Sequence, residues 1–502
     1  MNGPAGRVSR VNRGRVVATR TGQWQTQRAP RVARVASRTS GSAGKLKPVT
    51  LIAVSAFGPY LIGGIRTDQL VVYGLLVALL PFLFARIGSA SPAVTAILVA
   101  WSLIVAVASL GWVSPPQSTT RYGTGSAVAN LDNLLMPLAV VILTLMVVKA
   151  HQREDALRRV AEITVAAMCV NAVVSVVQMA RPLEPLLARW WSSDGVSGLT
   201  TAERALTLGR YTGIIGQPVV AGLFYSIALV CALYVLRQRP LRLAFVVTLL
   251  IVGGVLTVSK AFLLLGLPVA GWQLIRTRGS RGARFAAFTV IGGVAAYMAA
   301  VFGMLDRWQG LALLMQLTPG AERAHVAVYL GNRFGVGSST EPIIDTVLAS
   351  EPLLGFGMPG LAIYTDTAWV QTLVLAGLVG AAAFTVILVA LVVGYLHRRR
   401  GLPDAERRLF AGLVVIAVAG SFATPALTVN RLSVVMWILL TLLLFSRNPR
   451  ETEVGAGAQD GVRDFSSTLS PLKGQSPGSR ANREITDGVG DRVRPGTADR
   501  LR

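Results

Sequence analysis

The sequence predicts an all-α, polytopic integral membrane protein, from the share of apolar residues, the length of the apolar blocks and the placement of the basic residues. Of 502 residues, 52% are hydrophobic and 15% charged, whereas roughly a quarter of an ordinary soluble composition is charged. The mean hydropathy is +0.56. The apolar residues come in continuous blocks, and about 20 helical residues cross a hydrocarbon core of roughly 30 Å. Barrel strands would alternate over about ten residues, so continuous blocks mean helices.

The net charge of +25 comes mainly from Arg in the termini and in the short connections between apolar blocks. That placement follows the positive-inside rule, which sets orientation, and no nucleic-acid partner is expected. Cys169 and Cys231 both fall in apolar blocks, so no disulfide is expected. His151, His325 and His397 are widely separated and lack ligand spacing, so neither a metal site nor a cofactor is expected.

Taken in order, residues 1–47 hold many Arg, from Arg7 to Arg38, and no acidic residue. They read as a disordered basic cytoplasmic arm that orients the chain and attracts anionic membrane lipid, at about 1 kcal/mol per basic residue near the surface. The transmembrane domain is expected over 48–446, with about twelve spans near 49–65, 70–85, 93–113, 134–149, 160–180, 214–236, 243–258, 261–275, 285–304, 368–396, 409–427 and 432–446. The inside connections 86–92, 151–159, 237–242, 276–284 and 397–408 all carry basic residues. The stretch 243–275 is far too long for one crossing at about 1.5 Å per residue. Both of its flanks are basic, so it must be a hairpin turning outward at Ser259-Lys260. Residues 447–502 read as a disordered cytoplasmic tail. Both termini are therefore expected in the cytoplasm, and the protein in the cell inner (plasma) membrane.

Three outer loops follow, over 114–133, 181–213 and about 305–367. The last exceeds the roughly 15 residues of a mere connection, and its stretches 308–317 and 343–354 are apolar enough to lie on a membrane surface. These loops hold a sparse set of charges beside apolar spans: Arg210, Lys260, Arg333 and Asp366. Singly, each has an ordinary reading. Arg210 and Lys260 can snorkel to headgroups, Arg333 can be a solvated loop residue, and Asp366 can cap its helix.

In order, these segments resemble the superfamily of O-antigen ligases and O-antigen (exopolysaccharide) polymerases. An Arg with Gly and Pro opens a span: Arg210, Gly213, Pro218 and Gly222. A Thr-x-Ser-Arg pattern at an outward turn is matched by Thr257-Val258-Ser259-Lys260, with Lys for Arg. Arg333 is followed by an amphipathic stretch and Gly355-Phe356-Gly357. Asp366-Thr367 stands where the family has His-Asn, ahead of Gly377-Leu378-Val379-Gly380. The likeness covers about 200–385, and Asp in place of His fits the polymerase-like relatives better.

The resemblance implies transfer of a glycan from a polyprenyl-diphosphate carrier to an acceptor hydroxyl on the outer face. Arg210 and Arg333 would stabilise the charge of the departing diphosphate, with Lys260 supporting. Asp366 would accept the hydroxyl proton. The lack of a carboxylate or His cluster points to metal-independent transfer. The partners implied are the carrier-linked glycan, anionic lipid, and flippase and chain-length regulator proteins. The rival reading is a lipid-linked oligosaccharide flippase or other transporter, against which no pairing of the spans into similar halves is evident. A purely structural membrane protein would leave the ordered loop charges unexplained.

The topology is checked by cysteine labelling in intact cells. Cysteines at Ser118, Ser193 and Ser338 should react with an impermeant thiol reagent, and those at Ser280 and Gly401 only after permeabilisation. Labelling of position 280 from outside would overturn the hairpin and the outward placement of Arg333 and Asp366.

Overall fold

A computed structural model describes residues 47–61, 64–82, 90–113, 127–191, 200–276, 340–360 and 367–445. Among these the regular structure is helical, with no strand. The principal helices are α1 (Lys47–Ser55), α2 (Thr67–Leu79), α3 (Pro92–Val113), α4 (Ala127–Val147), α5 (Arg153–Ala180), α6 (Pro218–Val235), α7 (Pro240–Leu256) and α8 (Leu267–Arg276). They continue with α9 (Glu341–Ser350), α10 (Ala368–Arg398), α11 (Asp404–Ala423) and α12 (Asn430–Leu444). Pro92, Pro218 and Pro240 occupy first helical positions, where a missing N–H costs nothing and the fixed φ suits the helix.

Among the described residues five helical stretches are long and apolar enough to cross a membrane: Pro92–Gly111, Ala127–Val147, Ala150–Ala180, Pro218–Val235 and Ala368–Arg398. Shorter apolar helices cover Thr67–Phe82, Pro240–Leu256, Ala261–Arg276 and Arg431–Leu444. The expectation of about twelve full spans is therefore met only in part, since most expected blocks are helical but several helices are short. The block expected at 49–65 stops at Ser55, ahead of Gly58-Pro59. The block at 409–427 stops at Ala423, ahead of Pro425. Proline biases its predecessor away from the helical region, and block hydropathy alone does not register that. The block at 285–304, the basic arm over 1–46 and the tail from 447 lie outside the described residues.

The 243–275 stretch folds as two helical arms. α7 ends in a turn at Thr257–Ser259, and the chain returns through a π-helical segment, Ala261–Gly266, into α8. At the far end Arg408 Nη1 donates to the Arg276 carbonyl at 3.4 Å, and Gln273 Nε2 to the Arg408 carbonyl at 2.9 Å. Arg153 pairs with Glu406 at the same end.

α6 and α12 form the centre. Every residue from Val220 to Ala232 and from Arg431 to Phe445 is buried. The outer helices are apolar on both sides: in α3, Trp101 is buried while Val99 is 65% exposed, and in α5, Val170 is 60% exposed. Helices with apolar outward faces fit a hydrocarbon surrounding.

α10 is broken. Ala376 (φ −142°, ψ 16°) and Gly377 (φ 59°, ψ −154°) interrupt it, and residues 352–356 dock into the break. Phe356 N–H donates to the Val374 carbonyl at 2.7 Å, while Leu378 and Val379 N–H donate to the carbonyls of Pro352 and Leu353 at 2.8 and 3.2 Å. Gly355 and Gly357 also have positive φ, and a Cβ on Gly357 would meet the backbone of Gly111 in α3. The two glycine motifs noted in the sequence thus meet each other.

Gly377 sits in backbone space open essentially to glycine alone, and a Cβ there would meet Leu353 and Leu354. Gly377→Ala should lower the melting temperature of detergent-purified protein sharply, by strain of about 1–3 kcal/mol plus the clash. Gly74→Ala, in open space on α2, should be neutral or slightly stabilising.

Candidate functional site

The end of the bundle opposite Arg153–Glu406 gathers most of the buried polar chemistry. Its centre is the loop 210–217 between a short helix, Thr201–Thr207, and α6. A buried loop must find partners for its backbone, and α5 supplies them. The Asn171 side chain accepts from Ile214 N–H at 2.8 Å and donates to the Thr212 carbonyl at 3.2 Å and to the Tyr225 hydroxyl at 2.9 Å. Gln178 Oε1 accepts from Gly213 N–H at 3.1 Å, and Trp191 Nε1 donates to the Gly213 carbonyl at 3.0 Å. Arg210 opens this loop, half-buried, with its Nε buried and unpartnered.

The α7 turn packs against the same loop. Tyr211 N–H donates to the Leu256 carbonyl at 3.0 Å, and a Cβ on Gly222 would meet the Ser259 side chain. Val258 has φ 48°, a left-handed conformation that is a true outlier for a β-branched residue. Its side chain is buried with Leu256 against Val176, Met179 and Tyr211, and that packing holds a strain of about 1–3 kcal/mol. Lys260 follows this turn, half-buried. Arg210 and Lys260 therefore belong to adjoining segments, as the sequence order alone could not state.

A second cluster at this end escaped the sequence reading. Arg66 Nε donates to Asp68 Oδ1 at 3.1 Å, and Arg66 Nη2 to Asp132 Oδ2 at 2.9 Å. The Tyr73 hydroxyl donates to Asp132 Oδ1 at 2.8 Å. Beside them Arg431, at the start of α12, lies over the Tyr60 ring at 5.0 Å and donates from Nη1 to the Ile214 carbonyl at 3.4 Å. All four charged side chains are buried. A lone charge beside an apolar block is the signal for such residues. In the sequence each lies just outside an expected span, between 65 and 70, before 134 or before 432.

Of the four expected site residues, Arg333 and Asp366 lie outside the described residues. Next to the latter, the cap of α10 is Thr367, whose Oγ1 accepts from Val370 N–H at 3.1 Å. The capping duty that Asp366 could have carried is thus held by its neighbour.

Removing one partner of a buried ion pair costs about 3–5 kcal/mol, because the remaining charge is stranded. Arg66→Ala should therefore lower the melting temperature markedly, and adding Asp68→Leu with Asp132→Asn should recover most of the loss. An Arg66→Ala protein as stable as the parent would mean the network does not hold the helices together.

In comparison with known proteins, no family model matches this chain and no curated protein matches it in sequence.

Proposed function

We propose that this chain is a membrane glycosyltransferase that polymerises or ligates polyprenyl-diphosphate-linked oligosaccharide, working at the outer face of the cytoplasmic membrane with both termini inside. The observation that carries the reading is the pairwise meeting of the motif segments at one end of the bundle. The Arg210–Gly222 segment packs on the Thr257–Lys260 turn, and Gly355-Phe356-Gly357 packs on Gly377. In this reading the acceptor hydroxyl oxygen bonds to the anomeric carbon while the bond from that carbon to the diphosphate oxygen breaks. The electron pair leaves with the diphosphate, whose charge Arg210, Arg333 and Lys260 stabilise. Asp366 takes the hydroxyl proton. Anionic lipid surrounds the protein, and flippase and chain-length regulator proteins supply and limit the chains.

The transporter alternative draws on discontinuous helices whose free ends bind ions or substrate. α10 is discontinuous, but Val374, Leu378 and Val379 already have backbone partners from 352–356. The break is closed on itself, which favours the transferase reading.

Arg210→Ala and Arg333→Ala should each abolish the surface glycan and accumulate the carrier-linked precursor at unchanged protein level, with partial rescue by Lys, which lacks the planar fork. Asp366→Asn should fold normally, since Thr367 holds the cap, yet make little polymer, while Glu retains some turnover. Normal polymer from Asp366→Asn would return proton removal to water or to the departing diphosphate. Normal polymer from both Arg variants would overturn the reading.

A further inference from the structure

Buried polar atoms left without a hydrogen-bond partner are few in folded proteins, and each calls for a ligand, a water or a role. Among the described residues five of them lie around one loop: Gln178 Nε2, Arg210 Nε, Thr212 Oγ1, Ser259 Oγ and Arg431 Nη2. Gln178 grips the loop at Gly213, Arg210 and Thr212 belong to it, Ser259 packs beside it against Gly222, and Arg431 reaches Ile214 in its middle. With the two hydroxyls able to donate as well, every one of these groups can serve as a donor.

Arg431 is the decisive member. It is 6% exposed, and a buried guanidinium N–H without an acceptor is costly. The nearby Asp68 attracts Arg431 but, among the described residues, no carboxylate accepts a hydrogen bond from it. Asp68 is engaged by Arg66, and Asp132 by Arg66 and Tyr73. Among the described residues no carboxylate oxygen forms an ion pair with Arg431. Its contacts are the Tyr60 ring and one carbonyl, at 5.0 and 3.4 Å. Tyr60 lies against the guanidinium and Ile214 accepts from Nη1, while Nη2 is buried without a hydrogen-bond partner.

We infer that Arg431 and Arg210 are two arms of one oxyanion site across the 210–217 loop, completed by Thr212 and Gln178, which binds the phosphate oxygens of a lipid. Paired guanidinium groups bind such oxygens by charge-assisted hydrogen bonds. The start of α12 adds the positive end of a helix dipole, in a helix of 15 residues. The proposed transfer makes the carrier diphosphate the occupant, and to that extent the assignment rests on that reading. The site itself requires only a membrane-borne phosphate.

The test uses the full chain purified in neutral detergent, with the rise in unfolding temperature as readout. The probes are farnesyl diphosphate and phosphatidylglycerol. Arg431→Gln should need at least about tenfold more farnesyl diphosphate for the same rise, the scale of one lost charge-assisted hydrogen bond. Arg431→Lys should recover part, and Thr212→Val should show a smaller loss. A folded Arg431→Gln with the parent's response to both probes would overturn the site. Should that variant not fold, parent-like responses from Arg431→Lys and Thr212→Val together would overturn it. An Arg431-dependent rise with phosphatidylglycerol equal to that with farnesyl diphosphate would support the site and overturn the carrier as its occupant. Binding that depends on Arg431 in a protein without transfer activity would support the site and sink the transferase reading instead. Normal transfer with undiminished binding in Arg431→Gln would do the reverse.

Discussion

In an apolar solvent a backbone N–H or C=O has no water to fall back on, so each interruption of helix must carry its own hydrogen-bond partners. This constraint shapes the end of the bundle opposite Arg153–Glu406. The 210–217 loop survives burial because Asn171 serves three of its neighbours at once and Gln178 and Trp191 serve Gly213. The break in α10 survives because 352–356 supplies a donor to one broken end and acceptors to the other. Where irregular backbone is held so firmly, a site can be built without a mobile loop.

The same low-dielectric surroundings make charge expensive, and the charges are arranged accordingly. Arg66 sits between two aspartates and ties the start of α2 to α4. Arg431 is given an aromatic face and a carbonyl, but no carboxylate hydrogen bond among the described residues. Asp68, which binds Arg66, also attracts Arg431, so the two neighbouring cations differ in their hydrogen bonds. The strained Val258 lies in the same region, against Tyr211 of the loop. Strain of this kind persists only where the surrounding packing over-determines it, and it is concentrated at sites that use it.

Much of the helical architecture was legible in the residues. Long apolar blocks and basic connections placed α3 to α8 and α10 to α12 near their observed positions, and basic flanks on both sides of 243–275 required a hairpin before any contact was known. Helix lengths were less legible. Hydropathy sums side chains over a window, while α1 and α11 end at local backbone punctuation by Gly58-Pro59 and Pro425. The break at Gly377 was invisible for a related reason. Gly377-Leu378-Val379-Gly380 inside an apolar run is compatible with a continuous helix, and only the docking of 352–356 makes a non-helical conformation the better one.

For the site, the sequence by itself determined which segments carry unusual residues: Arg210 with its glycines, the Thr257–Lys260 turn, and the two glycine motifs flanking Asp366. Residue type and spacing are local properties, so one chain suffices to see them. Only the tertiary structure decided that the first two segments touch, that the glycine motifs interlock, and that Arg66, Asp68, Asp132 and Arg431 converge from stretches more than sixty and three hundred residues apart. Pairing of that kind is set by helix packing and by the cost of a stranded buried charge, neither of which is written in the neighbours of any one residue.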